Sequence, residues 1–453
     1  AMWNFCASNM TQLKFFKHDS AIYVVYFDTC TSLEKQIIQY LQIIHSTCAS
    51  PFVILAGSRY SKKEPQLTPE ELTDQLESLQ RKGFQSIQFL LLLEPSNDSI
   101  VQLFQYIANI IQAQSKLSIL VNNEDKDLIE LISKETEYTS PPVITYNNLS
   151  NMAQSCCVQN YHEPKPIVRY LNNIGRVLYI DDQNLGLTDV IVLDRDWIVS
   201  ACVEMFAARL PNGILPIADI SNVWRPPCFP EHLHSVIISL LIKHEIVVPI
   251  SSQNKDDSKL LVPALMNQYK PVLFDVWPSL QDYIPILGLH NHPQPEISRI
   301  LSFPIVVPHD FLERLIVRLF CLTQPQRYWK RGILVTKQGN QCLVEQKDEY
   351  EILFRFRAHN PLEMEKTLVP FIRIIMETTK QLAEAFRVAY QIQISFMRPS
   401  VGINTLFKRP EMSVYEDLVN GKLLAPPLEA GEEIFYRDIA PDIVRSSRAP
   451  TIY

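Results

Sequence analysis

AIYVVYFDTCTSLEKQIIQYLQIIHSTCASPFVILAGSRYSKKE, residues 21–64, sets the fold class. Ala21 to Phe27 is an unbroken apolar run rich in β-branched and aromatic residues, which predicts a strand buried on both faces. Thr31 and Glu34 stand at capping-box spacing and predict a helix start. Leu33, Ile37, Leu41 and Ile44 then recur at helical spacing, with Ile38 widening the stripe. Phe52 to Gly57 reads as a second buried strand, and a crossover of this length joins strands in parallel.

The same rhythm continues downstream. Thr68, Pro69 and Glu71 supply an N-cap, a first-turn proline and a capping-box acid. Leu72, Leu76 and Leu79 share one face of the helix that follows. Ile87 to Leu93 is a third strand, and a helix starting at Asp98 or Ser99 carries Leu103, Ile107 and Ile111. Alternating strands and helices with short links predict a parallel sheet with helices on its faces. From Asn122 the pattern changes to helices closed by a small hairpin, Ile246 to Ile250 against Leu260 to Pro263, a winged-helix-like arrangement. Asp196 is expected to cap the helix beginning at Trp197. Pro271 to Pro410 reads as an α+β unit: a strand from Ile297, a helix from Leu312 to Leu322, a β-meander from Gln326 and a helix from Glu363 to Tyr390. The expected domains are therefore 1–121, 122–270 and 271–410, with a Pro-rich linker at 411–453 leading to a domain outside this sequence; both ends look cut from something longer.

Composition narrows the function. The chain has 453 residues, a net charge of -7 and 20% charged residues, ordinary values for folded domains that have no general attraction to nucleic acid. A winged-helix unit serves protein contacts as well as DNA, and the acidic balance favours protein contacts, so no nucleic-acid partner is expected. No apolar run is long enough to span a bilayer, and no signal-like segment opens the chain, which predicts a cytoplasmic protein without a transmembrane segment. Nine scattered Cys without a C-x-x-C pair predict reduced thiols. His290 and His292, without a nearby Cys or carboxylate, make a weak metal pair, and no metal site is expected. No nucleophile–base constellation can be argued from spacing, so no catalytic residue is assigned. Eleven Gly against 31 Pro disfavour a phosphate-cradling loop.

Taken in order, these segments resemble the Roco family, in its leucine-rich-repeat kinase branch, where a Ras-like Roc domain precedes the two-part COR module. Trp3 to Asn9 stands where that family writes W-D-F-x-G-[QR]-E, its magnesium-linked switch, and Pro51 to Ser61 where it writes P-V-I-L-V-G-T-H-x-D. Tyr170 to Leu178, Leu187 to Trp197 and Leu260 to Leu265 resemble COR-A; Tyr328 to Ile333 resembles COR-B. Ile439 to Asp442 resembles the linker that leads into the family's kinase domain. The resemblance implies an α/β fold: a partial Ras-like parallel sheet, then a winged-helix-like α+β COR-A and an α+β COR-B.

The departures from the family pattern carry the functional expectation. Asn4 replaces the magnesium-organising Asp, Ala7 the phosphate-contacting Gly, and Ser8 the residue beside the attacking water. After Gly57 and Ser58, Arg59 replaces the base-packing residue and Ser61 the base-reading Asp. A lone hydroxyl cannot replace a carboxylate that accepts two hydrogen bonds. GTP or GDP and magnesium are the family's ligands; this chain is expected to hold none of them. The resemblance further implies a Roc–COR contact at Ile191, His45 and Thr47, and a homodimer through COR-B, with Leu315, Leu319, Tyr328 and Trp329 as candidates. Core packing is the competing reading for each. The resulting expectation is a regulatory and dimerisation module for an intramolecular protein kinase domain, with no enzyme activity in this chain. The alternative is a segment of a working GTP-binding Roco kinase whose phosphate loop lies upstream.

Overall fold

The computed structural model describes residues 15–16, 21–30, 32–48, 51–58, 67–81, 84, 87–93, 97–113, 123–156, 165–173, 175–250, 258–280, 282, 296–360, 364–396, 411–414 and 442. These divide into two compact units, one of residues 1–210 and 214–261, the other of 211–213 and 262–453.

The first unit begins with the parallel sheet. Strands β1 (Ile22–Asp28), β2 (Phe52–Ser58) and β3 (Ile87–Leu93) pair in that order. Helices α1 (Leu33–Thr47) and α2 (Pro69–Arg81) make the crossovers, and right-handed crossovers in an unreversed order put both on one face. The Gln75 carboxamide on α2 accepts the first amide of α1, Leu33 N, at 2.8 Å. Helix α3 (Asn97–Ala113) covers the other face, where Ile110 packs on Phe52 and Ile54.

Two local expectations change. Val24 and Tyr26 are 40% and 45% exposed, so β1 is not buried on both faces; it is an edge strand of the described sheet, and α3 covers its outer face only in part. Ser32 holds the N-cap of α1, without a side-chain cap bond; Thr31 lies outside the described residues. The second capping box is formed as the sequence predicts, with Thr68 N donating to Glu71 at 2.8 Å and Glu71 N to the Thr68 hydroxyl at 3.2 Å.

Helices α4 (Asn123–Tyr138), α5 (Tyr146–Ser155) and α6 (Lys165–Asn173) follow, around a small antiparallel sheet of β4 (Val143–Thr145), β5 (Leu178–Tyr179) and β6 (Val190–Val192). Gly175, at φ 73°, ends α6 in the left-handed conformation that glycine favours, and Arg176 N closes the turn on Leu171 O at 2.9 Å. Next come α7 (Arg195–Ala207), α8 (Ile220–Val223) and α9 (His234–Lys243). The cap of α7 is Asp194, whose carboxylate accepts Asp196 N at 2.9 Å; Asp194 has the extended backbone a cap needs, and Asp196 sits in the first turn. The wing has three strands, β7 (Ile214–Pro216), β9 (Lys259–Leu261) and β8 (Val248–Ile250), in that order.

The second unit is built on a seven-stranded antiparallel sheet. Its strands are β10 (Ile297–Ser302), β11 (Gln324–Trp329), β12 (Gly332–Lys337), β13 (Asn340–Gln346), β14 (Glu351–Arg357), β15 (Gln391–Phe396) and β16 (Glu411–Val414), in the order β11-β12-β13-β14-β10-β15-β16. Glu411 to Val414, expected to begin a linker, instead forms the outer strand on β15. Helices α10 (Phe311–Leu322) and α11 (Met364–Phe386) pack together through Phe311, Arg314 and Phe386, and α11 runs unbroken through Pro370. On the opposite sheet face lies the segment carrying Leu273 and Trp277, packed on Trp329, Leu334 and Leu343. It is pinned by Arg357, which stacks 3.8 Å from the Trp277 ring, donates to Glu296 and reaches Pro278 O.

Gly332 explains part of the COR-B-like motif. A Cβ there would lie 2.4 Å from Trp329 Cζ2 and 2.6 Å from Val344 O, a backbone atom that cannot step aside. Gly332→Ala is therefore expected to cost about 1–3 kcal/mol by overpacking, read as a lower urea midpoint at unchanged slope. A change below ~0.5 kcal/mol would mean that the strands part to admit the methyl.

Candidate functional site

In open parallel sheets, ligands sit beyond the carboxyl ends of the strands, where the strand order reverses. The carboxyl ends here present Asp28 and Ser58. Asp28 starts a turn, its carboxylate accepting Cys30 N at 3.0 Å, while its backbone N–H and C=O both pair with the Gln36 carboxamide. Ser58 is buried, and its carbonyl accepts Thr29 N at 3.1 Å. Gly57 faces Phe27 and Thr29; a Cβ on it would lie 2.4 Å from Phe27 Cζ and 2.9 Å from Thr29 Cγ2. Lack of a side chain at Gly57 thus makes room for neighbouring side chains of the same sheet. Asn4, Ala7, Ser8, Arg59 and Ser61 lie outside the described residues, as do His290 and His292. Among the described residues no group of three or more His, Cys, Asp or Glu is placed to hold a metal ion, and no helix is long and apolar enough to cross a membrane. The described cysteines are not joined by disulfides.

A second site lies where the parallel sheet meets the helices that follow it. Arg195, the first residue of α7, is buried. Its guanidinium donates to Val177 O at 2.7 and 3.2 Å, to Asn172 O at 2.8 Å and Oδ1 at 3.3 Å, and to Phe15 O at 2.8 Å. Phe15 lies 180 residues away in sequence, on the approach to β1. Its ring meets the imidazole of His244 edge-on, with centroids 4.6 Å apart. Asn172 is held in turn, since Oδ1 also accepts Tyr179 N at 3.0 Å. Burial lowers the Arg195 pKa to about 10 from the usual 12.5, with the nearby Tyr23 acting the other way, so the group stays charged at neutral pH. These acceptors are backbone and amide oxygens, which a planar five-donor group can serve together and a point charge cannot.

The other anticipated residues fall in packed surroundings. Ile191 is fully buried with Leu128, Leu149, Leu171 and Val177 in the core beside β6. His45 stands edge-on to Phe84, with centroids 5.1 Å apart, and Thr47 ends α1. In the second unit Leu315 and Leu319 are 0% exposed within a single copy of the chain. Trp329 is buried under Gly332, and Tyr328 meets Phe320 edge-on at 5.2 Å, with burial raising its hydroxyl pKa. Sequence reasoning missed Arg195: between Asp194 and Asp196 it reads as an exposed charge at a helix start. Its one available signal is its place two residues after the buried run Ile191 to Leu193.

Arg195→Lys keeps the charge but loses the fork. The stability cost is expected to be about 2–4 kcal/mol, since buried carbonyls are left without donors, measured by urea unfolding. A loss below ~0.5 kcal/mol would show that these bonds contribute little.

The family model described as "C-terminal of Roc, COR-A domain" matches residues 126–266, and that described as "C-terminal of Roc, COR-B domain" matches residues 294–422. Among curated proteins, "Probable serine/threonine-protein kinase roco5" of Dictyostelium discoideum is 22% identical over 89% of this chain and 18% of its own length. "Probable serine/threonine-protein kinase pats1" of the same organism is 24% identical over 84% of this chain and 12% of its own length. The chain thus spans less than a fifth of the length of these relatives. A solved structure, "Structure of methanosarcina barkeri Roco2 RocCORdC bound to GDP", aligns with 58% of this chain and 79% of its own at a TM-score of 0.45 and 19% identity. With COR-A and COR-B matched in order behind a parallel βα segment, the chain belongs to the Roco family, as its Roc–COR region.

Proposed function

We propose that this Roc–COR region is a regulatory and dimerisation module of a Roco-type protein kinase, and that its Roc part is a scaffold with a degenerate nucleotide site. The Arg195 clamp carries this reading. One guanidinium joins the Phe15 carbonyl on the approach to β1 to the Asn172 and Val177 carbonyls of COR-A, so that a displacement of one part is felt by the other. Two further features agree with it. The space at Gly57 is taken up by Phe27 and Thr29. The sequence carries Asn4, Ala7, Ser8 and Ser61 where the family's magnesium, phosphate, water and base contacts are expected.

Isothermal titration of GTP and GDP with magnesium into the full-length protein tests the nucleotide part. No binding tighter than ~1 mM is expected; magnesium-dependent binding near ~1 μM would overturn the scaffold reading in favour of a working GTPase. For the dimer, Leu315 and Leu319 belong to the core of each copy, and the proposed contact runs along the neighbouring edge strand β11, with Tyr328 and the 40% exposed Leu322. Light scattering is expected to give twice the monomer mass for the wild type, and Leu322→Glu to lower it without changing thermal unfolding. A monomeric wild type would remove the dimerisation role. A variant that stays dimeric would move the contact elsewhere.

A further inference from the structure

Arg299 occupies an unusual place for a charged residue. It sits on β10, an inner strand of the COR-B sheet, and is 0% exposed. Its strand neighbours are Phe354 on β14 and Ile394 on β15, both fully buried. A guanidinium removed from water needs acceptors or a countercharge to offset the lost hydration. Nη1 donates to Ser298 O at 3.0 Å, and the countercharge comes from far along the chain: Nη2 donates to Asp442 Oδ1 at 2.5 Å. Asp442 is itself buried, and its backbone carbonyl accepts Arg373 Nε, from α11, at 3.1 Å. Two arginines from a strand and a helix thus take hold of one aspartate at both its side chain and its main chain.

We propose that Arg299 and Arg373 form a carboxylate-binding site on COR-B whose resident ligand is this chain's own Asp442. The pair reads a short acidic residue. Arg299 needs the carboxylate, and Arg373 needs the carbonyl of the same residue. A carboxylate one methylene further from the backbone cannot satisfy both without a shift. Tethering supplies the ligand at high effective concentration, so the site is filled in cis, and loss of the Asp442 charge is the event that empties it. Arg299 fits this role because its strand position cannot be solvated, so Asp442 and the sheet are locked by one charge pair. Arg373, exposed on α11, adds the directional contact at the rim.

Hydrogen exchange on the whole chain tests the site. The amide of residue 442 should be protected in the wild type and exchange at least ~10-fold faster in Asp442→Asn, with a smaller acceleration in Arg373→Ala, whose exposed side chain leaves the core intact. Asp442→Asn strands a buried charge and can unfold the unit. Arg299→Met/Asp442→Asn removes both charges and should keep the wild-type thermal unfolding while the amide of residue 442 exchanges fast. A synthetic peptide of residues 437–448 should restore protection of β10 in Asp442→Asn, and the same peptide bearing Asn at 442 should not. Wild-type protection of that amide in both Arg373→Ala and the double variant would overturn the proposal, as would equal effects of the two peptides.

Discussion

A guanidinium cannot be left unpaired in a protein interior, and this chain places one at a decisive point in each of its two units. Arg195 in the first unit and Arg299 in the second are both buried, and neither is satisfied by its own element alone. Arg195 draws in Phe15 O from 180 residues away, and Arg299 draws in Asp442 from 143 residues away. The apolar cores would hold the helices and sheets without these contacts. What the arginines add is the placement of two outlying residues, Phe15 and Asp442, on the COR domains. Burial of the charge makes that placement close to all-or-none, because a half-formed contact leaves a charge without water or partner.

That arrangement gives a physical content to the idea of a relay. Phe15, which precedes β1 in sequence, is held by the first residue of α7 and by His244 at the end of α9. In the same way β10 and α11 hold Asp442. Each COR half grips a segment that belongs to a neighbouring part of the chain, and each grip is made by rigid elements and not by loops. A regulatory module of the kind proposed needs such grips more than it needs a reaction centre.

Much of the fold is legible in the residues. The alternation of apolar runs with 3.6-residue stripes yields β1 to β3 and their helices, and Thr68 with Glu71 forms the capping box its spacing announces. The wing hairpin and the meander follow from period-two patterning and turns. Failures come where tertiary partners decide. The run Ala21 to Phe27 is apolar throughout, yet an edge position leaves Val24 and Tyr26 open to solvent. Asp194 and Asp196 are equally good caps by type, and backbone conformation chooses between them. Glu411 to Val414 is only four residues long, and its strand exists because β15 offers an edge. The clamps are the least legible, since no local pattern marks a side chain whose partner is over a hundred residues away. Arg299 leaves the clearer trace: with Ile297 and Leu301 it occupies the core-facing positions of an alternating strand, where a charge demands an explanation.

The central claim is that the Arg195 guanidinium, and not a bound nucleotide, fixes the Phe15 segment to COR-A. Hydrogen exchange at residues 15–16 and in the first turn of α7, followed in the full-length protein with and without millimolar GTP or GDP and magnesium, addresses it directly. Protection that is the same in all nucleotide conditions and lost in Arg195→Lys is the predicted result. Protection that rises when nucleotide is added to the wild type, or that survives in Arg195→Lys, would contradict the account.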